Sequence, residues 1–172
     1  MRSPIDVAVA VVLAEHPGMK FESLAQTLGI SASKAFDSVK RLTAVGVALP
    51  DGRRINRLAL FEFLEHGIQY VFPATPGVFR QGIPTGRSGP VLADALDAGD
   101  EPLVWPCAGG PVRGRAIVPL VPKASDLPQR SPNTYVALSL VDAVRTGGAR
   151  ERHLALQALR QRFGAPTAAV HV

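Results

Sequence analysis

The feature that most constrains this chain is a pair of short helical patterns in residues 21–43, which read FESLAQTLGISASKAFDSVKRLT. Apolar residues recur at helical spacing on both sides of Gly29, and Ala25 is small enough for two helices to cross closely. The positions expected to share one apolar face are Leu24, Leu28, Ala35, Val39 and Leu42. The two helices are expected to cross closely at the four-residue turn 29–32 and to pack through this apolar face. The opposite face of the second helix is then left on the protein surface.

This arrangement predicts a helix-turn-helix, whose second helix fits the major groove of duplex DNA. Ser31 is the expected N-cap of that helix, which runs to about Ala44 and ends before Gly46. A period of 3.6 residues turns a set of mostly polar side chains outward, and we expect them to contact DNA together with Ser31. These side chains are Ser33, Lys34, Asp37, Lys40 and Arg41. The alternative is a helical bundle whose outward face is merely solvated.

The outward side chains differ in what they can do at DNA. Ser33 and Lys34 lie in the first turn, the part of such a helix that enters the groove deepest. The guanidinium of Arg41 could fork onto a guanine or clamp a phosphate. Asp37 would repel phosphates and helps only where it accepts a hydrogen bond from a cytosine.

Residues 47–57 predict a hairpin directly after this helix, which would be the wing of a winged helix. Residues 47–49 can form one strand, Asp51-Gly52 is a strong tight-turn signal, and residues 53–55 can return as the partner strand. A wing that reaches the minor groove or a row of phosphates needs positive charge. The basic residues at the wing and its exit are Arg53, Arg54 and Arg57. The alternative is a solvated turn.

A first helix is expected before this unit, over residues 5–16. Ser3 with Asp6 predicts a capping-box start, and Pro4 suits the first helical position. The apolar content of this helix is too continuous for a solvent-facing one. We therefore expect it to pack under the neighbouring helices or against a second subunit.

A fourth helix is expected to close this N-terminal part. Asn56 suits its N-cap and Gly67 its end. The apolar residues of this helix are Leu58, Leu60, Phe61 and Leu64. From residue 68 the character of the sequence changes, so we predict a winged helix-turn-helix domain at residues 1–67 and a second domain at residues 68–172.

The second predicted domain mixes short strands with two helices. Three β-type runs, IQYVFPA, PLVWP and AIVPLVP, are separated by Gly/Pro-rich connections. The link TPGVFRQGIPTGRSGPVL is too apolar for a flexible linker and is expected to lie ordered on the body. Helices are predicted at residues 135–145 and 150–163, with a loose tail after Gly164. The predicted fold class is therefore α+β: a winged helix-turn-helix, a small Pro/Gly-rich β domain and a C-terminal helix pair.

The formal net charge of +5 is unevenly distributed. Residues 31–57 carry six Lys/Arg against two acidic residues, and residues 143–172 carry five against one, which is the footprint of a polyanion partner. Arg145, Arg150 and Arg152 lie around a helix start, where the helix dipole disfavours cations, so these arginines need partners. An acid of this chain such as Asp142 is the expected partner, and an external anion or an acidic partner protein is the alternative.

The sequence offers no catalytic set, no metal site and no cofactor motif. The four histidines sit in different predicted elements, without a second ligand at metal spacing. Cys107 is the single cysteine, so no disulfide can form within the chain, and a buried structural thiol is the default. GGPVRGR lacks the lysine–hydroxyl pair of a P-loop and fits a β-turn in a sheet. We expect a non-enzymatic protein and, because long apolar runs and a leader are lacking, a soluble cytoplasmic one.

With LAQTLGISASKAFDSVKRLTAVG followed by a hairpin, residues 1–67 resemble the winged helix-turn-helix domains of bacterial transcriptional regulators, the MarR-like group included. The C-terminal part is loosely similar to accessory domains of toxin–antitoxin or phage-defence regulators. The resemblance implies a homodimer that binds specific double-stranded DNA, most simply as an autoregulating transcriptional repressor. The alternative is an antitoxin-like or defence-system interaction protein whose C-terminal domain binds a partner protein or a small effector. The surfaces expected to join two protomers are the first predicted helix and the helix face carrying Leu154, Ala155, Leu159 and Phe163.

Overall fold

The computed structural model describes residues 1–96, 99 and 101–164 and shows a mixed α+β fold. Eight α-helices and one sheet of three strands make up this part of the chain. The helices are α1 (Pro4–Glu15), α2 (Phe21–Leu28), α3 (Ala32–Ala44), α4 (Arg57–His66), α5 (Ile68–Val71), α6 (Leu127–Arg130), α7 (Pro132–Thr146) and α8 (Ala149–Phe163). The strands are β1 (Phe79–Pro84), β2 (Leu103–Pro106) and β3 (Val112–Ala116). The tail after Gly164, predicted to be loose, lies outside the described residues.

Helix α1 is the central element of the core. Its start follows the prediction, because Ser3 and Asp6 form the capping box and Pro4 occupies the first helical position. The side chains of residues 7–14 are all buried, and α1 contacts α2, α3, α4, α7 and α8. The helix therefore packs under its neighbours, as expected. The prediction that it offers a surface to a second subunit is wrong, because this chain covers it on every side.

Helices α2 and α3 have the predicted bounds and are joined by a tight turn. Gly29 follows α2 with φ at +66°, a conformation that favours glycine. The hydroxyl of Ser31 caps α3 by accepting a hydrogen bond from the amide of Lys34 at 3.2 Å. The five positions of the predicted apolar face are buried, namely Leu24, Leu28, Ala35, Val39 and Leu42. The opposite face of α3 is left outside.

The hairpin predicted after α3 is reduced to a turn with one bridge. Ala48 and Ile55 form an isolated antiparallel bridge, and the amide of Leu49 donates to the carbonyl of Arg54 at 2.8 Å. Gly52 supplies the left-handed conformation of the turn, with φ at +66°. The flanking residues do not extend into regular strands, because a two-stranded ribbon with no third strand beside it is only marginally stable.

Helix α4 begins as predicted, with the side chain of Asn56 accepting from the amide of Ala59 at 3.1 Å. Three of its four apolar residues are buried, namely Leu60, Phe61 and Leu64. The fourth, Leu58, lies on the solvent side of α4 and is largely exposed.

The segment after α4 is helical, although its sequence predicts a strand. Residues 68–71 form α5, which directly follows α4 and contacts α7. Ile68 is fully buried there. Burial of this side chain outweighs the weak strand preference of the run, because strand propensity depends on having a neighbouring strand to pack against.

The three strands close on one another, with β1 antiparallel to β2 and β3, and with β2 parallel to β3. Strand β2 coincides with the predicted run PLVWP, whereas β1 lies within the link that was expected only to be ordered. The strand predicted at AIVPLVP, residues 116–122, is replaced by β3, which ends at the first residue of that run. Ile117 still donates to the carbonyl of Val104 at 3.0 Å, but Pro119 and Pro122 beyond it have no amide to donate.

Helices α7 and α8 form the predicted C-terminal pair and pack against α1 and α4. Ala155, Leu159 and Phe163 of α8 are fully buried within this chain, and Leu154 is partly buried. The prediction that this face joins two protomers is therefore wrong. One cluster of buried apolar side chains runs from α1 to α8. The domain boundary between residues 67 and 68 stays a prediction, with an apolar core that continues across it.

Candidate functional site

The outer face of α3 carries the predicted polar side chains. Ser33, Lys34, Asp37 and Lys40 are all exposed, and so is Ser31 at the N-cap. The structure adds an exposed aromatic residue, Phe36, which is 53% exposed and whose ring packs edge-on against Phe21 with 5.6 Å between ring centroids. The sequence reading gave Phe36 no role, although an aromatic residue next to outward positions of an amphipathic helix is a signal that could have been used.

Arg41 differs from the other outward residues of α3, because its guanidinium is held by a buried carboxylate. Its Nη2 lies 2.7 Å from Oδ1 of Asp6, and its Nε lies 3.1 Å from both oxygens of that carboxylate. The Arg41 side chain is 36% exposed, whereas Asp6 is inaccessible to solvent. One of the two edges of the guanidinium that can fork onto a guanine, the Nε–Nη2 edge, is thus occupied by Asp6. Contact between Arg41 and DNA stays a prediction, but its established partner lies within the chain.

Asp6 accepts from four groups and ties three segments together. Besides Arg41, the hydroxyl of Ser38 donates to it at 2.7 Å, and the amides of Arg2 and Ser3 donate at 2.9 Å and 3.1 Å. Burial acts to raise the pKa of the Asp6 carboxyl, but these hydrogen bonds outweigh burial and lower that pKa below its ordinary value of 3.8. The carboxylate therefore fixes α3 against the start of α1.

Two clefts flank the Arg41 side chain along α3. The smaller, of about 260 Å³, is lined by Met1, Arg2, Lys40, Arg41, Ala44 and Val45. The larger, of about 500 Å³, is lined by Arg2, Ser3, Ile5, Lys34, Asp37 and Arg41. Arg2 is exposed and contributes to both clefts. The sequence reading did not assign Arg2 to the site, because nothing in the pattern shows that the start of the chain lies beside α3.

The three arginines predicted at the wing have different surroundings. Arg53 is exposed, and Arg54 is exposed while paired with Asp51, whose carboxylate also accepts from the amides of both arginines. Arg57 is half-buried, and its Nη2 donates to the carbonyl of Ala14 at 3.2 Å. That contact lies at the C-terminal end of α1, where a cation is favoured. DNA contact by all three stays a prediction, and Arg57 is the least accessible for it.

Most arginines of α8 bind acceptor groups within the chain. Nη2 of Arg152 donates to the carbonyl of Glu65 at 2.8 Å, and Nη2 of Arg160 pairs with the Glu65 carboxylate at 3.0 Å. The carboxylate of Glu15 receives Arg162 in the same way. These acceptors lie at the C-terminal ends of α4 and α1, where the helix dipole favours positive charge. Arg150 is exposed at the start of α8, and an external contact there stays a prediction.

The predicted pairing of Arg145 with Asp142 is confirmed, and it is buried. Nη1 of Arg145 lies 2.6 Å from Oδ1 of Asp142, and Oδ2 accepts from Thr85 at 2.8 Å and from the Trp105 indole at 2.6 Å. Burial raises the pKa of Asp142, against the opposing effects of the guanidinium and the other donors. All these donors belong to the interior, so the cluster joins β2 to α7 and offers nothing to an outside ligand.

The remaining surface shows no catalytic constellation in the described ranges. A cleft of about 460 Å³ on the sheet brings Arg80 and Arg113 near Cys107, but no acid or histidine lines it. No group of three or more His, Cys, Asp or Glu in the described part of the chain could hold a metal ion. Of the helices in those ranges, none has both the length and the apolar character that a membrane crossing requires.

Comparison of the chain with models of protein families, with curated proteins and with solved structures gives no match.

Proposed function

We propose that this chain is a double-stranded-DNA-binding transcriptional regulator in which α2, the turn after it and α3 act as a helix-turn-helix. The observation that carries the proposal is the distribution of charge around α3. Arg2, Lys34 and Lys40 line the two clefts on its outer side, and among the described residues none of them forms an ion pair within 4.0 Å, although Asp37 also lines the larger cleft. By contrast, Arg145, Arg160 and Arg162 of the C-terminal helices are neutralised by acids of the chain. Uncompensated cations beside an exposed helix suit a phosphate backbone.

The roles of the side chains follow from their placement. Ser33 and Lys34 lie in the first turn of α3, which is the part that reaches base edges when such a helix enters the major groove. Lys40, one and a half turns later, is suited to a phosphate at the groove edge. Arg41 positions α3 through Asp6 rather than reading a base with its occupied edge. In this proposal the short turn after α3 acts as the wing, and its DNA-contacting residues are Arg53 and Arg54.

A homodimer acting as an autoregulating repressor is the simplest form of this function, because paired half-sites multiply a modest affinity. The two surfaces expected to form the dimer are buried in the chain, so a dimer would use others. Sedimentation of the protein at micromolar concentration with and without DNA tests this part, and a monomer under both conditions would contradict it.

The test of DNA binding is fluorescence anisotropy on a labelled duplex from the region upstream of its own gene, over a series of salt concentrations. Lys34→Ala and Lys40→Ala should each reduce the magnitude of the slope of log K against log salt by about 0.9 per protomer. Ser33→Ala should change the preference for that duplex over a scrambled one. Arg113→Ala is the matched control, because it also removes one exposed cation but on strand β3, where no contact with DNA is proposed. Absence of duplex binding at low salt, or a flat salt response, would refute the proposal.

A second candidate function is that of an antitoxin-like or defence-system interaction protein. It is favoured by exposed apolar side chains on the C-terminal part, since Tyr70 is 76% and Val118 is 77% exposed. Arg145 brings their segments together, because it donates to the carbonyls of Phe72 at 2.9 Å and Val118 at 3.3 Å. Co-purification with the product of an adjacent gene, lost in Tyr70→Ser, would support this function. Equal co-purification with the wild-type protein and with Tyr70→Ser would count against a role for this surface in partner binding.

A further inference from the structure

We propose that the smaller cleft beside α3 binds one sugar–phosphate unit of the DNA backbone and that Arg2 is its main phosphate ligand. This inference rests on the proposed DNA-binding function and adds a phosphate ligand, Arg2, that lies outside both the helix-turn-helix and the turn after it. Its lining divides into two chemical halves: the cations of Arg2, Lys40 and Arg41, and the apolar side chains Met1, Ala44 and Val45. A deoxyribose phosphate has the same division, with an anionic group beside an apolar sugar edge.

The charges of this cleft are not equal. Arg41 is compensated by Asp6 at 2.7 Å, so its positive charge is largely taken up inside the chain. Arg2 and Lys40 have no acidic partner among the described residues. Two cations without an acidic partner therefore face the cleft. An anion bound between them would neutralise their positive charge.

The position of Arg2 is fixed by the same carboxylate that fixes α3. The amides of Arg2 and Ser3 donate to Oδ2 of Asp6, while Ser38 and Arg41 of α3 donate to the other oxygen. Asp6 thus sets the distance between the backbone of Arg2 and the outer face of α3 before any ligand arrives. The backbone of Arg2 is therefore positioned before a ligand arrives, whereas its exposed side chain still has to be ordered on binding.

A contact of this kind positions the protein and carries no sequence information. Arg2→Ala should therefore weaken binding to the upstream duplex and to a scrambled duplex by the same factor. Loss of one phosphate contact reduces the salt slope by about 0.9, which corresponds to roughly eightfold weaker binding per protomer at 0.1 M salt. Arg2→Lys should restore most of the slope, because a lysine keeps the charge.

The experiment is the salt series in fluorescence anisotropy with wild-type protein, Arg2→Ala, Arg2→Lys and Arg113→Ala, together with phosphate-ethylation interference on the same duplex. Arg113 is a suitable control because it is an exposed arginine on strand β3, outside every surface proposed to contact DNA. We expect Arg2→Ala alone to lose slope and to lose interference at one phosphate per half-site. Thermal unfolding of Arg2→Ala should match wild type, since the side chain is exposed.

The outcomes separate this inference from the function on which it rests. If Lys34→Ala loses slope while Arg2→Ala behaves like Arg113→Ala, the Arg2 site is refuted and the DNA-binding proposal stands. If Arg2→Ala and Arg113→Ala lose slope equally, the effect is one of overall charge and the site is also refuted. If the wild-type protein does not bind duplex at all, both proposals fall together.

Discussion

A single carboxylate, that of Asp6, holds α3 in place relative to α1. It accepts from the side chains of Ser38 and Arg41 and is itself buried, so its removal leaves several donors without an acceptor. We expect Asp6→Asn to lower the free energy of unfolding by about 2–4 kcal/mol at neutral pH, because breaking one side of a buried ion pair is costly. Urea unfolding followed by circular dichroism measures the change. The matched control is Asp37→Asn on the exposed face of α3, where a change above about 0.5 kcal/mol would contradict this account.

The lowered pKa of Asp6 gives this contribution a pH dependence. An acid whose pKa is lower in the folded than in the unfolded chain stabilises the fold above its ordinary value of 3.8, and the stabilisation is lost as the pH falls through the folded-state pKa. The stability difference between wild type and Asp6→Asn should therefore be full at neutral pH and shrink in acid. A difference that stays constant down to strongly acidic pH would show that charge plays no part.

The pairing of Arg41 with Asp6 could not be read from the sequence, because the two residues stand 35 positions apart. Helical periodicity places Arg41 correctly on the outer edge of α3, and capping rules place Asp6 correctly at the start of α1. Neither rule says that the two helices cross there. The pairing is therefore visible only in the tertiary structure, and a contact of Arg41 with a guanine or a phosphate stays a prediction.

At the scale of elements, the turn between α2 and α3 depends on Gly29 and on a distant arginine. Arg130 of α6 donates to the carbonyl of Thr27 at 3.0 Å, and a Cβ on Gly29 would lie 3.0 Å from its guanidinium. Gly29→Ala should lose about 1–2 kcal/mol for the left-handed conformation and more for displacing Arg130. Gly46→Ala is the control, since φ is +75° there with nothing within 4 Å of the added carbon.

Urea unfolding of these two variants, alone and combined with Arg130→Ala, isolates the contact. The excess cost of Gly29→Ala over Gly46→Ala should disappear in the Arg130→Ala background, because the obstructing side chain is then absent. An excess that persists without Arg130 would mean that the turn itself, and not the contact with α6, sets the cost.

Helix positions were predictable and strand positions were mostly not, for reasons that individual residues illustrate. The starts of α1, α3 and α4 could be predicted from their N-cap residues, because a cap is a local interaction within three residues. These N-caps are Ser3, Ser31 and Asn56. Strand β1 contains Gly82, where an added Cβ would overlap the carbonyl of Trp105 on β2. That glycine weakens the strand signal of its own segment, yet it is needed because the neighbouring strand approaches closely. The candidate site divides likewise: the outward side chains of α3 follow from periodicity, whereas Arg2 enters only through tertiary packing.

At the scale of the molecule, the continuous core predicts that the two halves of the chain unfold together. Trp105 is the only tryptophan and is buried in strand β2, so its fluorescence reports the C-terminal half. Circular dichroism reports helices on both sides of residue 67. We expect the two signals to give the same midpoint in urea, because α1 and α4 share their buried faces with α7 and α8. Two separate midpoints would instead support independent domains at residues 1–67 and 68–172.

The enclosure of α1 has a consequence for the timescale on which the protein opens. Residues 7–14 present no side chain to solvent, so no local fluctuation can expose the amides of this helix without first parting the elements on both sides. Their exchange with deuterium will require the complete unfolding reaction, whereas the amides of the short turn at residues 48–55 will exchange through small local openings. The slowest-exchanging protons in α1 will thus report the global stability of the fold directly, under native conditions and without denaturant.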